Sequence, residues 1–573
     1  METREETSET VAERGPEFTL KAVAVGVFIS LLIVAANIYM GLKIGFTEGY
    51  AILAAILCFA IIRAFGGRLT ILENNIGQTV ASGAATTGIM VSVIPALVLL
   101  GIPVGTFGTM VWIFLVSIIG VLYAVPLRRQ YVVMEALPFP TGTACAATIR
   151  AMHAEAEGAL KQARLLGLTG LVSGAIVWLR DGVPSIIPAI TMLPFQIASI
   201  PAGRLTLGVN WSPMLLGAGF LIGPRIGTSL LLGGILGSAV LGPLLVTSGI
   251  IEGPGHSLVT HWTMWFAIPL MVSAGFVALL LKWRIVLNAF ESMKEATERG
   301  GMHGEIPFGL WMIGLLVAGV GTAVVMQAMF QIPFWMSLLA LVVSFLLASI
   351  AVRAYGETDI SPIGTMGHAT QILFGGLAPG QMLTNVLAAG ITSGCANAAV
   401  DTMQDLKAGY LLGSTPRKQV YAQLIGVLAG TLVAVPAFNA LVETYGLGSE
   451  ALPAPAAVLW SGMAKLLSQG FTALPECAGY AVGAGTVLGI LLALLENGRW
   501  KKYTPSPLGI GIGIVVPAFF TIAIFVGSLL AAGIGRISQR WGEHITLPVA
   551  AGAIAGEAIV GVLIAALTVL AIL

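Results

Sequence analysis

Long apolar runs separated by short polar stretches recur from about residue 20 to the end of the chain. A helix of about 20 apolar residues crosses a bilayer. Runs at 20–42, 48–65, 78–100, 106–126, 164–180, 208–223, 225–247, 261–283, 307–330, 332–352, 380–400, 418–440, 476–496, 507–531 and 548–572 meet that length or approach it. Stretches 183–200 and 360–378 are shorter, interrupted by polar residues, Gly and Pro, and read as half-helices or re-entrant pieces. The pattern predicts an all-α polytopic membrane protein with about 14–16 transmembrane helices, some of them broken or re-entrant.

The organisation follows from where the pattern lapses. Residues 1–18 are acidic and polar and read as a disordered tail. The first apolar run is too long, and too closely followed by others, for a cleaved secretory signal. Residues 19–283 form an N-terminal transmembrane half, 284–305 (RIVLNAFESMKEATERGGMHGE) a polar linker, and 306–573 a C-terminal half. Short loops rich in Lys and Arg face the cytoplasm. Arg63/Arg68, Arg128/Arg129, Lys161/Arg164, Lys282/Arg284, Arg417/Lys418 and Arg499/Lys501/Lys502 are all accommodated when the N-terminus and the linker are cytoplasmic. Ser212-Pro213 opens SPMLLGAGFLIGP and Ser506-Pro507 opens SPLGIGIGIVVP, with Gly217 and Gly219 meeting Gly511 and Gly513 at one offset. Arg128-Arg129-Gln130 and Arg417-Lys418-Gln419 match at a nearby offset on the same expected side, which favours two pseudo-repeated halves in parallel orientation.

Composition adds a constraint on solvent. Hydrophobic residues are 57% of the 573 and charged residues 10%, against about 25% charged in a soluble domain; the mean hydropathy is +0.94. A net charge of +1 offers nothing to nucleic acid. Cys58, Cys145, Cys395 and Cys477 lie far apart, so neither a zinc site nor a disulfide framework is indicated, and no cofactor or protein-held metal is expected.

Polar and ionisable residues inside apolar runs are costly and are the candidates for function. LTILENNIGQTVASG carries Glu73, Asn74, Asn75, Gln78 and Thr79, with Asn74 and Gln78 one turn apart on one helix face; these groups meet either a substrate or neighbouring helices. In RRQYVVMEALPFPTGTACAA, Pro138 and Pro140 break the helix after Glu135, and the break at Thr141-Gly142-Thr143 frees backbone groups for a ligand or is an ordinary loop. YGETDISPIGTMGHATQ holds Asp359, Ser361, His368 and Gln371, and a histidine titrates in the range a proton-coupled carrier uses. ITSGCANAAVDTMQDLKAG places Asn397 with Asp401, and Asp401 with Asp405, at helical spacing beside Lys407, as a relay, a latch or a helix end. Glu476 and Glu557 are weaker candidates. No HExxH or GxSxG is present and Asp401 and Asp405 share one helix, so no enzyme is expected. GIGIGIVVP follows no strand and is not a nucleotide loop.

The strings NIYMGLKIG (37–45), ENNIGQTVASG (73–83), RRQYVVMEALPFPTGTACA (128–146), GPRIG (223–227), DISPIG (359–364), DLKAGYLLGSTPRKQVYAQLIG (405–426) and SPLGIGIGIVVP (506–517) resemble, in order and over nearly the whole chain, the oligopeptide transporter family with its yellow-stripe-like metal-chelate carriers. The resemblance implies a proton-coupled importer of small oligopeptides or of metal complexes of amino-acid-like chelators, and it raises a homodimer as the expected assembly. The compact chain resembles prokaryotic members, which implies the cytoplasmic membrane. An uncoupled facilitator or channel is the alternative. In the expected mechanism half-helix N-termini and Asn/Gln amides receive a substrate carboxylate and Glu73, Asp359 or Asp401 its ammonium group; a buried carboxylate or His368 carries the proton.

Overall fold

The computed structural model describes residues 15–45, 51–154, 156–183, 185–281, 306–358, 363–470, 474–496, 498, 500, 503–537 and 539–570. Candidates Asp359 and Ser361, the 284–305 linker and most of the expected tail lie outside them.

The described helices are α1 (Leu20–Ile44), α2 (Ala51–Ala64), α3 (Ile71–Ala85), α4 (Val93–Leu99), α5 (Thr106–Arg128), α6 (Pro140–Ala154), α7 (Ala156–Asp181), α8 (Pro213–Gly234), α9 (Gly242–Thr247), α10 (His256–Leu281), α11 (Phe308–Phe330), α12 (Phe334–Thr358), α13 (Ile363–Leu377), α14 (Met382–Leu412), α15 (Pro416–Tyr445), α16 (Pro455–Gln469), α17 (Ala478–Glu496), α18 (Pro507–Val515), α19 (Ala518–Ile537) and α20 (Gln539–Val569). Their ends carry the expected signals. Thr19 caps α1, Ser212 caps α8 and Ser506 caps α18 through side-chain oxygens, Pro occupies the first turn of α8, α15, α16 and α18, and Gly45 and Gly413 close α1 and α14 in the left-handed conformation.

Among the described residues thirteen helical stretches are long and apolar enough to cross a bilayer, and the protein is an all-α integral membrane protein. Two expected spans are absent from that number. Ala51–Ala64 is shorter than a full crossing, and 208–223 and 225–247 count together as Pro213–Thr247, two helices that meet at a break. Gly223 interrupts it with φ 75° and ψ 170°, ahead of Pro224. Region 183–200 is not a half-helix: Ile190–Met192 pairs antiparallel with Gly208–Asn210, and Gln196–Ile197 with Ile200–Pro201. Its Pro residues and β-branched side chains suit a short extended cap better than a helix.

The packing shows two repeats, inverted rather than parallel. α1 lies alongside α3 in the same direction, Gly26 against Gly77 and Val80 and Gly41 against Val91. α5 returns after the turn at Gly101, and α11 runs against it, Gly108 meeting Met329 while Trp311 Nε1 donates to the Leu122 carbonyl at 2.8 Å. α12, the next helix back, therefore runs opposite to α1. Both have 25 residues. α1 presents its Leu42 carbonyl to the Ala454 N–H (2.7 Å), and α12 its Gly356 carbonyl to the Phe139 N–H (2.9 Å). Phe139 and Ala454 occupy equivalent places in EALPFP (135–140) and EALPAP (450–455), both at positive φ, and each string leads into a 15-residue helix, α6 or α16.

The SP motifs complete the relation. Gly219 abuts the Ile524 backbone and Gly513 the Leu230 backbone; Gly227 abuts Ser528 and Gly234 abuts Thr521. One constant offset converts each contact into its partner. In the second pair residue number rises on α8 as it falls on α19, so equivalent helices point in opposite directions. The repeats run from α1 to α10 and from α12 to α20, with α11 between them. The end of the bundle where α1 begins is the near end and the opposite end the far end.

Candidate functional site

The densest buried polar cluster lies toward the near end, between α3, α6, α14 and α15. Gln78 projects from α3 and its Nε2 donates to Asp405 Oδ1 at 2.6 Å. Gln423, on α15, donates to Asp405 Oδ2 at 2.5 Å, and Gln419, one turn earlier, donates to the Asp405 carbonyl at 2.7 Å. No cation forms an ion pair with Asp405 among the described residues. One turn away on α14, Asp401 accepts from Asn397 Nδ2 (3.2 Å) and Gln404 Nε2 (3.0 Å). Lys407 is buried on the same helix and pairs with neither aspartate in the described geometry. Asn74 and Asn75 are fully buried on α3, and none of their side-chain atoms has a hydrogen-bond partner among the described residues. Buried amides in proteins are nearly always paired, so this pair marks a place for water or a ligand.

α6 brings a helix N-terminus to the cluster. Gly142 sits on the Gln404 backbone with no room for a side chain, and the Arg150 guanidinium reaches the Leu411 carbonyl farther along, so α6 and α14 run together toward the near end. The partial positive charge of the α6 N-terminus is therefore directed inward, beside Asp401 and Gln404. Thr141 stands at that terminus, and Thr143 donates to the Pro138 carbonyl at 2.6 Å.

Other candidates are held in local structure. Glu73 closes a capping box with Thr70, accepts from Thr19 at 2.8 Å and pairs with Lys21 at 2.9 Å. It is a helix-start residue, as the T-x-x-E spacing from Thr70 indicates. Glu135 pairs with Arg353 Nη1 at 2.6 Å and accepts from Gln130 at 2.8 Å; Arg353 Nε also meets Glu357 at 3.0 Å. His368 and Gln371 belong to a separate cluster on α13. His368 Nδ1 lies 2.8 Å from Gln371 Oε1, and Gln371 Nε2 donates to Asn385 Oδ1 and the Trp460 carbonyl, each at 3.2 Å. Glu476 offers its carbonyl to Trp262 Nε1 at 3.0 Å.

Around Glu557, a weaker candidate from the sequence, a second charged cluster forms near the far end, with cationic partners that sequence reasoning passed over. Glu557 Oε2 accepts from Ser212 Oγ (2.7 Å) and the Met214 N–H (2.9 Å), at the N-terminus of α8. Its Oε1 meets Arg180 (3.1 Å) and Lys43 (3.5 Å), and Arg180 also binds Asp181. Lys43 lies within NIYMGLKIG and Arg180 closes an apolar run. Both sit where a loop or interface is the default expectation, so only their burial identifies them. Gln419 and Gln423 had a legible signal, their one-turn spacing on an otherwise apolar helix.

The model of the OPT oligopeptide transporter protein family matches residues 17–568. A putative oligopeptide transporter of Haemophilus influenzae is 29% identical, over 92% of this chain and 92% of its own. The putative oligopeptide transporter YGL114W of Saccharomyces cerevisiae is 26% identical, over 89% and 90%. The probable metal-nicotianamine transporter YSL13 of Oryza sativa subsp. japonica is 26% identical, over 78% of this chain and 68% of its own.

Proposed function

The chain belongs to the OPT oligopeptide transporter family, and we propose that within it this protein imports small oligopeptides by symport with protons. The observation that carries the reading is the Asp405 carboxylate, buried among Gln78, Gln419 and Gln423 beside the inward N-terminus of α6. A buried carboxylate with only neutral partners is neutralised by a proton or by a cationic group of its cargo. The α6 N-terminus with Thr141 and the amides of Asn74 and Asn75 suit the carboxylate and backbone of a peptide. Asp401 suits its ammonium group. The near end is the cytoplasmic one in this reading, with the N-terminus inside. It carries Arg63, Arg68, Arg128, Arg129, Arg150, Lys161, Arg164, Arg417 and Lys418 of the described residues, in keeping with the bias of cytoplasmic loops. A prokaryotic cytoplasmic membrane fits the bacterial relative. The rice relative's name supports a second cargo class, a metal held in an amino-acid-like chelator.

Uptake into proteoliposomes under an imposed pH gradient tests this, comparing a labelled tri- or tetrapeptide with an iron(III) chelate. Peptide accumulation that collapses with a protonophore is expected. Asp405→Asn should lower concentrative uptake by about tenfold or more while leaving exchange of peptide across the membrane. Proton-driven uptake by Asp405→Asn at the wild-type level removes Asp405 from the mechanism. Accumulation of the chelate alone transfers the protein to the metal branch.

A further inference from the structure

The inverted repeats place one set of residues at each end of the bundle. α1 and α12 are equivalent through Leu42 and Gly356, and EALPFP and EALPAP through Phe139 and Ala454. Carried along these helices, the same register sets Tyr39 against Arg353, Lys43 against Glu357 and Glu450 against Glu135. The Arg353 guanidinium lies over the Tyr131 ring at 5.6 Å, and Tyr39 lies beside Tyr445 with ring centroids 6.2 Å apart, so each position on the helix end faces a tyrosine.

The two ends are occupied differently. At the near end Arg353 ties α12 to the EALPFP break, with Glu135 at 2.6 Å and Glu357 at 3.0 Å. At the far end Glu450 is exposed and forms no ion pair among the described residues, and Lys43 is turned toward Glu557. The far end thus has Glu450 at the position of Glu135, Lys43 at that of Glu357 and Tyr39 at that of Arg353, and Glu450 is not drawn onto α1 there.

We propose that Arg353 with Glu135 and Glu357 is the near-end gate of the transport path, and that Glu450 closing on the end of α1 at Tyr39 and Lys43 forms the far-end gate that closes when the first opens. Inverted repeats that exchange conformations exchange their contacts as well. The Glu135–Arg353 bond belongs to the state closed at the near end, and the approach of Glu450 to Tyr39 and Lys43 belongs to the other. The assignment holds for any cargo, because access is read without transport.

The test is cysteine labelling in oriented vesicles with a membrane-impermeant maleimide. Cys477, the exposed native cysteine, is replaced by Ser; Cys58, Cys145 and Cys395 are buried. Single probes Thr141→Cys and Ala456→Cys occupy equivalent positions just inside each break. Arg353→Gln should raise near-side labelling of the first about threefold or more and lower far-side labelling of the second. Glu450→Gln should shift both in the opposite sense, and it provides the decision if Arg353→Gln does not fold. The exchanged pair Glu135→Arg with Arg353→Glu should restore the original pattern. Labelling that rises at both ends together in Arg353→Gln, or that fails to move in Glu450→Gln, overturns the proposal.

Discussion

Three carboxylates show how residue identity alone leaves function open. Glu73, Asp405 and Glu17 are all acids buried next to polar segments, yet their partners differ. Glu73 is committed to the start of α3 by Thr70 and Lys21, so Glu73→Gln should cost about 1 kcal/mol of stability and leave the proton dependence of uptake unchanged, measured beside Asp405→Asn. Glu17 lies just ahead of α1. It accepts from Ser414 Oγ (2.5 Å), the Thr415 N–H (2.6 Å) and Thr415 Oγ1 (2.8 Å), and pairs with Lys418 at 2.9 Å, fastening the chain to the start of α15. Burial raises its carboxyl, but the bonds from Ser414, Lys418 and Thr415 outweigh that and hold it below the usual carboxylate range. A depressed acid contributes stability above its unfolded value, near 4.3 for a glutamate, and loses it as pH falls through the folded one. Glu17→Gln should therefore melt below the wild type at pH 7, by roughly 1–3 kcal/mol, and the two melting curves should converge below about pH 4.

At the scale of elements, the glycines of α8, α18 and α19 matter for the space they leave. Without a strong hydrophobic drive between helices in lipid, close backbone approach supplies much of the attraction. A side chain at Gly219 meets the Ile524 carbonyl, and one at the equivalent Gly513 meets the Leu230 carbonyl. Gly219→Leu and Gly513→Leu should each lower the melting temperature in detergent, with an overpacking cost of about 1–3 kcal/mol or more, and by similar amounts because the contacts are equivalent. Gly483 on α17 is exposed and faces no atom within reach; Gly483→Leu is the neutral control. The SP motifs had signalled a repeat. The direction of packing was hidden, since a two-fold along the membrane normal and one in its plane leave the same motifs in the sequence.

The whole molecule joins the two scales. Its inverted repeats share a scaffold but not a polar site. Asp405, Gln419 and Gln423 occupy the second repeat, Gln78, Asn74 and Asn75 the first, and they meet only because α3 and α15 run side by side, with Gly426 against the Val80 carbonyl and Gly430 against Ala84. In the proposed mechanism, symmetry supplies the moving frame and its gates, and the departure from symmetry supplies the place for cargo. α11 lies outside both repeats, between α10 and α12, and packs against α5.

The sequence by itself determined the solvent, the helical class and the family, because spans of apolar residues and strings such as DLKAGYLLGSTPRKQVYAQLIG are local properties of the chain. Ser, Thr, Pro and Gly at capping positions also mark several of its helix ends. The tertiary structure decided which acids are committed and which remain available. Glu73 and Asp405, both buried acids, are separated by what stands across from them, and Lys43, Arg180 and Arg353 each gain a partner hundreds of positions away, Glu557 for the first two and Glu135 for the third. Partnership between buried charges is a property of packing, and packing depends on helix direction and rotation, neither of which is encoded in any one span.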